Sequence, residues 1–172
     1  TIPKFSLRYT VGEELARIIG NRYRCKFHVI RNIAPIPGVA IADNILERKK
    51  ILVYQGALNV GRGLEIMLDA MVDLPEWQLW LAGEGDITDL LKAKSKQLGI
   101  EDRVTFLGWV LPDNLPDILL QARIHVNLRE SGSLNDYYSL PNKFFDAIHA
   151  GLPSINMKYP EYEKICQQFP CA

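Results

Sequence analysis

Residues 51–85 read ILVYQGALNVGRGLEIMLDAMVDLPEWQLWLAGEG and contain a strand–helix–strand pattern. The apolar run Ile51–Tyr54 predicts a short buried strand, and apolar side chains at helical spacing predict a helix over 63–74. Trp77–Ala82 predicts the next strand, which is closed by Gly-Glu-Gly. Because parallel strands need a crossover helix between them, this stretch predicts a parallel sheet covered by helices.

The same alternation continues to the end of the chain. The further predicted elements are, in order, a helix over 86–98, a strand over 103–107, a helix over 114–121, a strand over 123–128, a helix from 139–141 to 150, a strand over 152–157 and a helix over 159–169. Five strand–helix units predict an α/β fold with a Rossmann-like, doubly wound parallel sheet. Such sheets bind ligands beyond the carboxyl ends of their strands, in the loops that begin at Gln55, Gly83, Gly108, Arg129 and Asn156.

Residues 1–48 show a different pattern. Val11–Tyr23 predicts an amphipathic helix, Lys26–Ile30 a strand, and Arg31–Arg48, with Pro35 and Pro37, an irregular segment. We therefore expect 1–48 to be the tail of a preceding N-terminal domain plus a linker, and 49–172 to be the Rossmann-like domain. Since the chain starts without methionine and stops just after a helix, we expect a piece of a longer protein, truncated near the end of this domain.

Composition restricts the class of protein. The 172 residues carry no net charge and are 48% hydrophobic, which is typical of a globular domain and gives no bulk charge for nucleic acid. Three cysteines, Cys25, Cys166 and Cys171, without a Cys-x-x-Cys pair favour unpaired thiols in a reducing, cytoplasmic compartment. The sequence shows no signal peptide and no apolar run long enough to span a bilayer.

The first strand-end loop contains Gly56, Gly61, Arg62 and Gly63 and precedes a helix. Glycines allow a ligand to approach the backbone, a helix N-terminus favours anions, and a guanidinium fits phosphate. The loop therefore suggests phosphate binding, although glycines at such turns are also common for structural reasons.

The later loops each allow two interpretations. Glu84 either contacts a ligand or favours the N-terminus of the next helix. Trp109 either stacks on a base or, as we favour, packs onto its own domain or an interface. The helix start at Pro141 and Lys143 could hold a diphosphate, with Asp146 accepting from a ribose diol, or Lys143 and Asp146 could form a surface ion pair. His125, inside an apolar strand, is expected to be buried and hydrogen-bonded.

Taken together, these loops resemble the carboxyl-terminal domain of the glycosyltransferase group 1 family, retaining enzymes of the two-domain GT-B fold. The resemblance rests on the segments YQGA through GRGL (54–64), LWLAGEG (79–85), VTFLG (104–108) and SLPNKFFDAIHAGLP (139–153), and on VIRN (29–32) at the crossover from the amino-terminal domain. It covers nearly the whole chain, and the segment 139–153 is its most specific part.

The resemblance implies roles by position. The residues expected to bind the donor phosphates are Gly56, Gly61, Arg62, Gly63, Pro141, Asn142 and Lys143. Those expected at the base and ribose are Gly108, Trp109, Val110 and Asp146, and those at the donor sugar are Tyr138 and Ser139, with Glu84 left open. Asp146 and Tyr138 stand where the family usually has two glutamates, and Ala57 stands where it usually has a basic residue.

The implied function is transfer of a sugar, with retention, from a nucleoside-diphosphate sugar to a glycan or glycolipid acceptor. No metal or other cofactor is expected, and the fragment alone is expected to be inactive without its N-terminal domain. Peripheral membrane association of the full-length enzyme is compatible with the resemblance, and nucleic acid is not an expected partner. A non-catalytic nucleotide-binding or scaffolding domain and a sugar-nucleotide epimerase of the same fold are the alternatives.

Overall fold

The computed structural model describes residues 2–33 and 44–169. Pro35 and Pro37 of the predicted linker, and Cys171, lie outside these ranges. The chain begins with a small βαβ unit, in which strand β1 (Tyr9–Thr10) and strand β2 (His28–Val29) pair in parallel around helix α1 (Glu13–Tyr23).

A five-stranded parallel sheet forms the centre of the molecule. Its strands are β3 (Ile51–Gln55), β4 (Gln78–Ala82), β5 (Val104–Gly108), β6 (Ile124–Asn127) and β7 (Ser154–Asn156). Their spatial order is β5-β4-β3-β6-β7, and each pair is parallel. The predicted Rossmann-like, doubly wound sheet of five units is therefore confirmed. The chain reverses its direction of growth between β3 and β6, which makes their carboxyl ends the topological switch point of the sheet.

Helices cover both faces of this sheet. They are α2 (Leu64–Val72), α3 (Thr88–Gln97), α4 (Leu115–Gln121), α5 (Leu134–Tyr137), α6 (Asn142–His149) and α7 (Pro160–Gln168). Short 3-10 turns lie at Ile2–Lys4, Ile45–Glu47, Glu101–Arg103 and Pro112–Asn114.

Strand β3 shows why both faces must be covered. All five of its residues are buried, and successive side chains point to opposite faces. Leu52 and Tyr54 pack into one apolar core with α2 and α3, while Ile51 and Val53 pack into a second core with α4 and α6. A third apolar cluster, which includes Phe144 of α6, joins α6 to α7.

The predicted bounds differ from the observed ones mainly where local patterns are short. The strand predicted over Lys26–Ile30 is only His28–Val29, and the strand predicted over 152–157 is only Ser154–Asn156. The polar segment predicted as a loop over 129–138 contains α5, whose first turn is capped by the Ser133 hydroxyl accepting from the Asp136 N–H at 3.2 Å. Ser133 therefore acts as an N-cap, a role available from sequence that the loop prediction did not use.

Candidate functional site

The switch point brings two predicted loops together. The loop after β3 and the loop after β6 leave neighbouring strands, and the Glu130 N–H donates to the Gly61 carbonyl at 2.9 Å. Gly56, Gly61 and Gly63 all have positive φ angles, of 123°, 77° and 69°. A side chain at Gly63 would collide with Leu128, since its Cβ would lie 2.6 Å from the Leu128 Cβ. The absence of a side chain at Gly63 therefore allows the loop after β3 to contact the loop after β6.

The loop after β4 holds the glycine loop from the other side. The Gly56 N–H donates to the Ala82 carbonyl at 2.9 Å, and the Leu58 N–H donates to the Glu84 carbonyl at 3.0 Å. Gly83 has a φ of 150°, and a Cβ on it would lie 2.0 Å from the Gly56 carbonyl oxygen. This contact leaves no room for any side chain at Gly83.

A cleft of about 890 Å³ opens beyond the carboxyl ends of these strands. Its lining comes from all the predicted loops except the last. The lining residues are Gln55, Gly56, Ala57, Ala82, Gly83, Glu84, Trp109, Val110, Pro112, Asp113, Leu115, Pro116, Leu119, Leu120, Pro141, Asn142, Lys143, Asp146, His149 and Ala150. The volume suits a nucleotide-sized ligand.

Three cationic side chains lie close enough to interact electrostatically, and one of them, Lys143, lines the cleft. Arg62 follows β3, Arg129 follows β6, and Lys143 belongs to the first turn of α6. Lys143 interacts electrostatically with both arginines, and the two arginines interact with each other. Only Arg129 has an ion-pair partner within the described ranges, namely Asp136. The cluster therefore carries unbalanced positive charge, which favours an anion.

Lys143 is directed into the site and not towards solvent. Its Nζ lies 4.3 Å from the centroid of the Tyr54 ring, and a Cβ at Gly56 would lie 3.0 Å from that nitrogen. Burial, and then repulsion by Arg62 and Arg129, lowers the pKa of Lys143 to about 7. The alternative of a surface ion pair between Lys143 and Asp146 is wrong, because Lys143 is half-buried and contacts the Tyr54 ring, and no ion pair joins these two described side chains.

Asp146 lies one turn further along α6 and also lines the cleft. Its Oδ2 accepts a hydrogen bond from Gln55 Nε2 at 2.5 Å. Burial raises the pKa of Asp146, and the hydrogen bond from Gln55 opposes that rise. Asp146 therefore keeps a positioned carboxyl group in the cleft.

The residues predicted at the base form the opposite wall. Trp109 is 75% exposed, and Val110 lines the cleft beside it. The expectation that Trp109 packs onto its own domain is therefore wrong, whereas its packing at an interface stays a prediction. Gly108 lies just outside the lining with a φ of 66°, and Glu84 is exposed at the rim.

Tyr138 and Ser139, the residues predicted at the donor sugar, do not line the cleft. The Tyr138 hydroxyl interacts electrostatically with Arg17 of α1, and the Tyr138 ring packs edge-on against Tyr137 with centroids 4.9 Å apart. The Ser139 hydroxyl donates to the Asp136 carbonyl at 2.8 Å. Both residues contact the segment around α5, and their place at the donor sugar stays a prediction.

His125 is buried as predicted, but its hydrogen bonding is only half complete. Its Nδ1 lies 2.8 Å from the Ser154 Oγ, while its Nε2 has no hydrogen-bond partner within the described residues. Burial lowers the pKa of His125 to about 3, so the ring is neutral at physiological pH.

The sequence reasoning marked Gln55 and Arg129 as the starts of loops but gave neither a role. The signal was their position immediately after strands at the switch point. Leu115, Pro116 and Leu119 form an apolar floor of the cleft that the sequence did not predict. A helix that packs against a sheet and a helix that lines a cleft show the same apolar periodicity, so the sequence pattern cannot tell them apart.

The sequence of this domain matches a known protein family. A profile of the family described as glycosyl transferases group 1 aligns with residues 49–168. The chain belongs to this family. The glycosyltransferase group 1 resemblance is thus confirmed over residues 49–168.

Similar proteins agree with that assignment. The chitobiosyldiphosphodolichol beta-mannosyltransferase of Yarrowia lipolytica is 26% identical over an alignment that covers 90% of this chain and 36% of that protein. The lipopolysaccharide 1,6-galactosyltransferase of Salmonella typhimurium is 25% identical, with 74% of this chain and 35% of that protein covered. The chain thus spans about a third of the length of these glycosyltransferase group 1 relatives.

The fold is shared with solved glycosyltransferases. HepE from Anabaena, solved in complex with UDP and glucose, superimposes with a TM-score of 0.74 at 16% identity, over 93% of this chain and 46% of that one. This likeness establishes the GT-B type of Rossmann-like fold. No helix within the described ranges is both long and apolar enough to cross a membrane.

Proposed function

We propose that this glycosyltransferase group 1 domain binds the nucleoside-diphosphate part of a sugar donor in the cleft at its switch point. The observation that carries the proposal is the convergence of Arg62, Arg129 and Lys143 from three separate elements. A diphosphate supplies the negative charge that this cluster lacks among the described residues. HepE was solved with UDP, which supports a nucleotide in the corresponding fold.

The remaining lining suggests how such a donor would lie. The glycine loop at 56–63 and the start of α6 at Pro141 and Asn142 border the cationic cluster and offer backbone N–H groups to phosphate. Val110 and the apolar floor would receive the base, and Asp146 would accept from the ribose. Positive charge held next to the leaving diphosphate would stabilise it as the glycosidic bond breaks.

For the whole protein we propose transfer of the sugar, with retention, to a glycan or glycolipid acceptor. The names of the relatives, a mannosyltransferase of a dolichol-linked chitobiose and a lipopolysaccharide galactosyltransferase, support that class of acceptor. We propose that residues 1–48 join this domain to an N-terminal domain that holds the acceptor. Because the cluster supplies cationic charge itself, we expect added EDTA to leave donor binding unchanged in a titration.

Calorimetric titration of the chain with UDP, GDP and ADP tests the proposal. Wild type should bind at least one of them saturably, and Arg62→Ala should raise its Kd by at least about tenfold, the loss expected for one charge-assisted contact. Arg22→Ala is the matched control, since Arg22 is an exposed arginine on α1. It should leave the Kd unchanged.

The two parts of the proposal fail separately. If wild type binds none of the three nucleotides, donor binding in this cleft is refuted. If Arg62→Ala binds as well as wild type, the cleft still takes the nucleotide, but Arg62 is not one of its phosphate ligands.

A further inference from the structure

The hydrogen bond between Gln55 and Asp146 joins two elements that are distant in the chain. Gln55 ends β3 and Asp146 lies 91 positions later, on α6. Gln55 is only 6% exposed, and both side chains line the cleft. The contact is therefore built into the wall of the site.

This hydrogen bond fixes the orientation of the Asp146 carboxyl group. Oδ2 accepts from Gln55 Nε2 at 2.5 Å, while Oδ1 accepts from no donor within the described part of the chain. Holding Oδ2 against Gln55 at the end of β3 restricts rotation of the carboxyl group about its Cβ–Cγ bond. Oδ1 is thus the oxygen left for a ligand.

A glutamine at position 55 leaves one buried polar atom, its Oε1, without a hydrogen-bond partner among the described residues. An unsatisfied buried oxygen destabilises the fold, whereas an apolar side chain of the same size would not. The amide is explained if its N–H is needed at Asp146.

We propose that Gln55 is a positioning residue, which holds Asp146 Oδ2 so that Oδ1 accepts a hydrogen bond from a ribose hydroxyl. The cleft then selects ribonucleotides over 2′- or 3′-deoxyribonucleotides. This inference rests on the proposed function, since it takes a nucleoside diphosphate as the ligand.

The contact itself is tested without any ligand. The carboxyl titration of Asp146 is followed by carbon NMR in wild type, Gln55→Met and Gln121→Met. Gln121 is the control because it is exposed, its amide donates to the Asp117 carbonyl at 3.0 Å, and neither residue lines the cleft. The pKa of Asp146 should rise in Gln55→Met alone, because a neutral donor to the carboxylate is lost. An unchanged pKa of Asp146 overturns the inference.

Selectivity is tested by calorimetry with UDP, GDP or ADP, whichever binds most tightly, and with its 2′-deoxy and 3′-deoxy forms. Wild type and Gln121→Met should prefer the ribonucleotide over at least one deoxy form by about tenfold or more. In Gln55→Met this ratio should fall towards one. Gln55→Leu, which also removes the amide N–H from beside Asp146, should lose the ratio in the same way if the methionine variant unfolds.

The outcomes separate the two claims. A wild-type chain that binds ribonucleotide and deoxyribonucleotides equally overturns the positioning role but leaves nucleotide binding intact. If both Gln55 variants still prefer the ribonucleotide over its deoxy forms, the positioning role of Gln55 is likewise overturned, and nucleotide binding is not affected. Failure of the wild-type chain to bind any of the nucleotides refutes the proposed function, and the selectivity claim with it.

Discussion

At the scale of single residues, the site depends on the positive charge of the half-buried Lys143 side chain. Lys143 sits over the Tyr54 ring, next to two arginines, with no described ion-pair partner. Tyr54 cannot act as a counter-ion for Lys143, because burial raises the pKa of Tyr54 to about 12 and keeps its hydroxyl neutral. The charged form of Lys143 is thus disfavoured in the free protein, and an anionic ligand would stabilise it.

Nucleoside-diphosphate binding should therefore take up a proton. In the free chain burial and the two arginines lower the pKa of Lys143 to about 7, so at pH 8 this side chain is mostly neutral. A bound diphosphate favours the charged form and raises that pKa, so affinity should fall as pH rises above 7. Calorimetry at pH 8 in two buffers of different ionisation enthalpy should show uptake approaching about one proton.

The control for this linkage is Lys143→Arg, which keeps a positive charge that does not titrate in this range. Its binding enthalpy should not depend on the buffer. Equal buffer dependence in the variant and in wild type would assign the proton to another group.

At the scale of elements, the glycine contacts decide how closely the loops at the switch point can pack. Gly83 touches the Gly56 carbonyl, and Gly63 touches Leu128, so backbone meets backbone or a neighbouring side chain without an intervening Cβ. Both glycines also have positive φ angles, which other residues adopt only with strain. The loops are therefore held by close packing as well as by hydrogen bonds.

Gly83→Ala should destabilise the domain on the order of 3 kcal/mol, because overpacking adds to backbone strain. Its Cβ would lie 2.0 Å from the Gly56 oxygen at a φ of 150°. Gly99→Ala is the matched control, since Gly99 has a φ of 66° but no atom within 4 Å of an added Cβ. It should cost about 1 kcal/mol in urea unfolding. Equal losses in both variants would show that strain alone matters at Gly83.

At the scale of the whole molecule, one buried carboxylate connects the first helix to the last. Glu161 of α7 is fully buried and its Oε1 accepts from the Glu14 N–H at 2.7 Å. Gly12, the N-cap of α1, provides no side-chain cap of its own. Glu161 therefore caps α1 from α7 and ties the N-terminal unit to the Rossmann-like domain, aided by Lys164, which pairs with Glu14 at 2.7 Å.

Glu161→Ala should loosen α1 from the domain. The change leaves an uncapped N–H at a partly buried helix start, which should cost about 1 kcal/mol locally and speed amide exchange throughout α1. Glu163→Ala is the control, because Glu163 is partly exposed and only pairs with Lys158 at 3.4 Å. Unchanged exchange in α1 of the Glu161 variant would mean that apolar packing alone holds it.

The sequence by itself determined the fold class and the family. The strands and helices of residues 49–168 other than α5 each show an apolar pattern, because each buries apolar side chains against its neighbours. The five-unit order, the glycines at the strand ends and the segment 139–153 could therefore be recognised one piece at a time. The positions of Lys143 and Asp146 in the cleft followed from their place at the start of a helix beyond the sheet.

Only the tertiary structure decided which side chains meet. The strand order brings Arg129 to Arg62, and it brings Gln55 to Asp146 across 91 positions. It also leaves Trp109 exposed, and it places Tyr138 beside α1 and outside the lining of the cleft. The physical reason is that periodicity reports how each element is buried against its surroundings, whereas contacts between strand ends depend on the order in which distant strands pair.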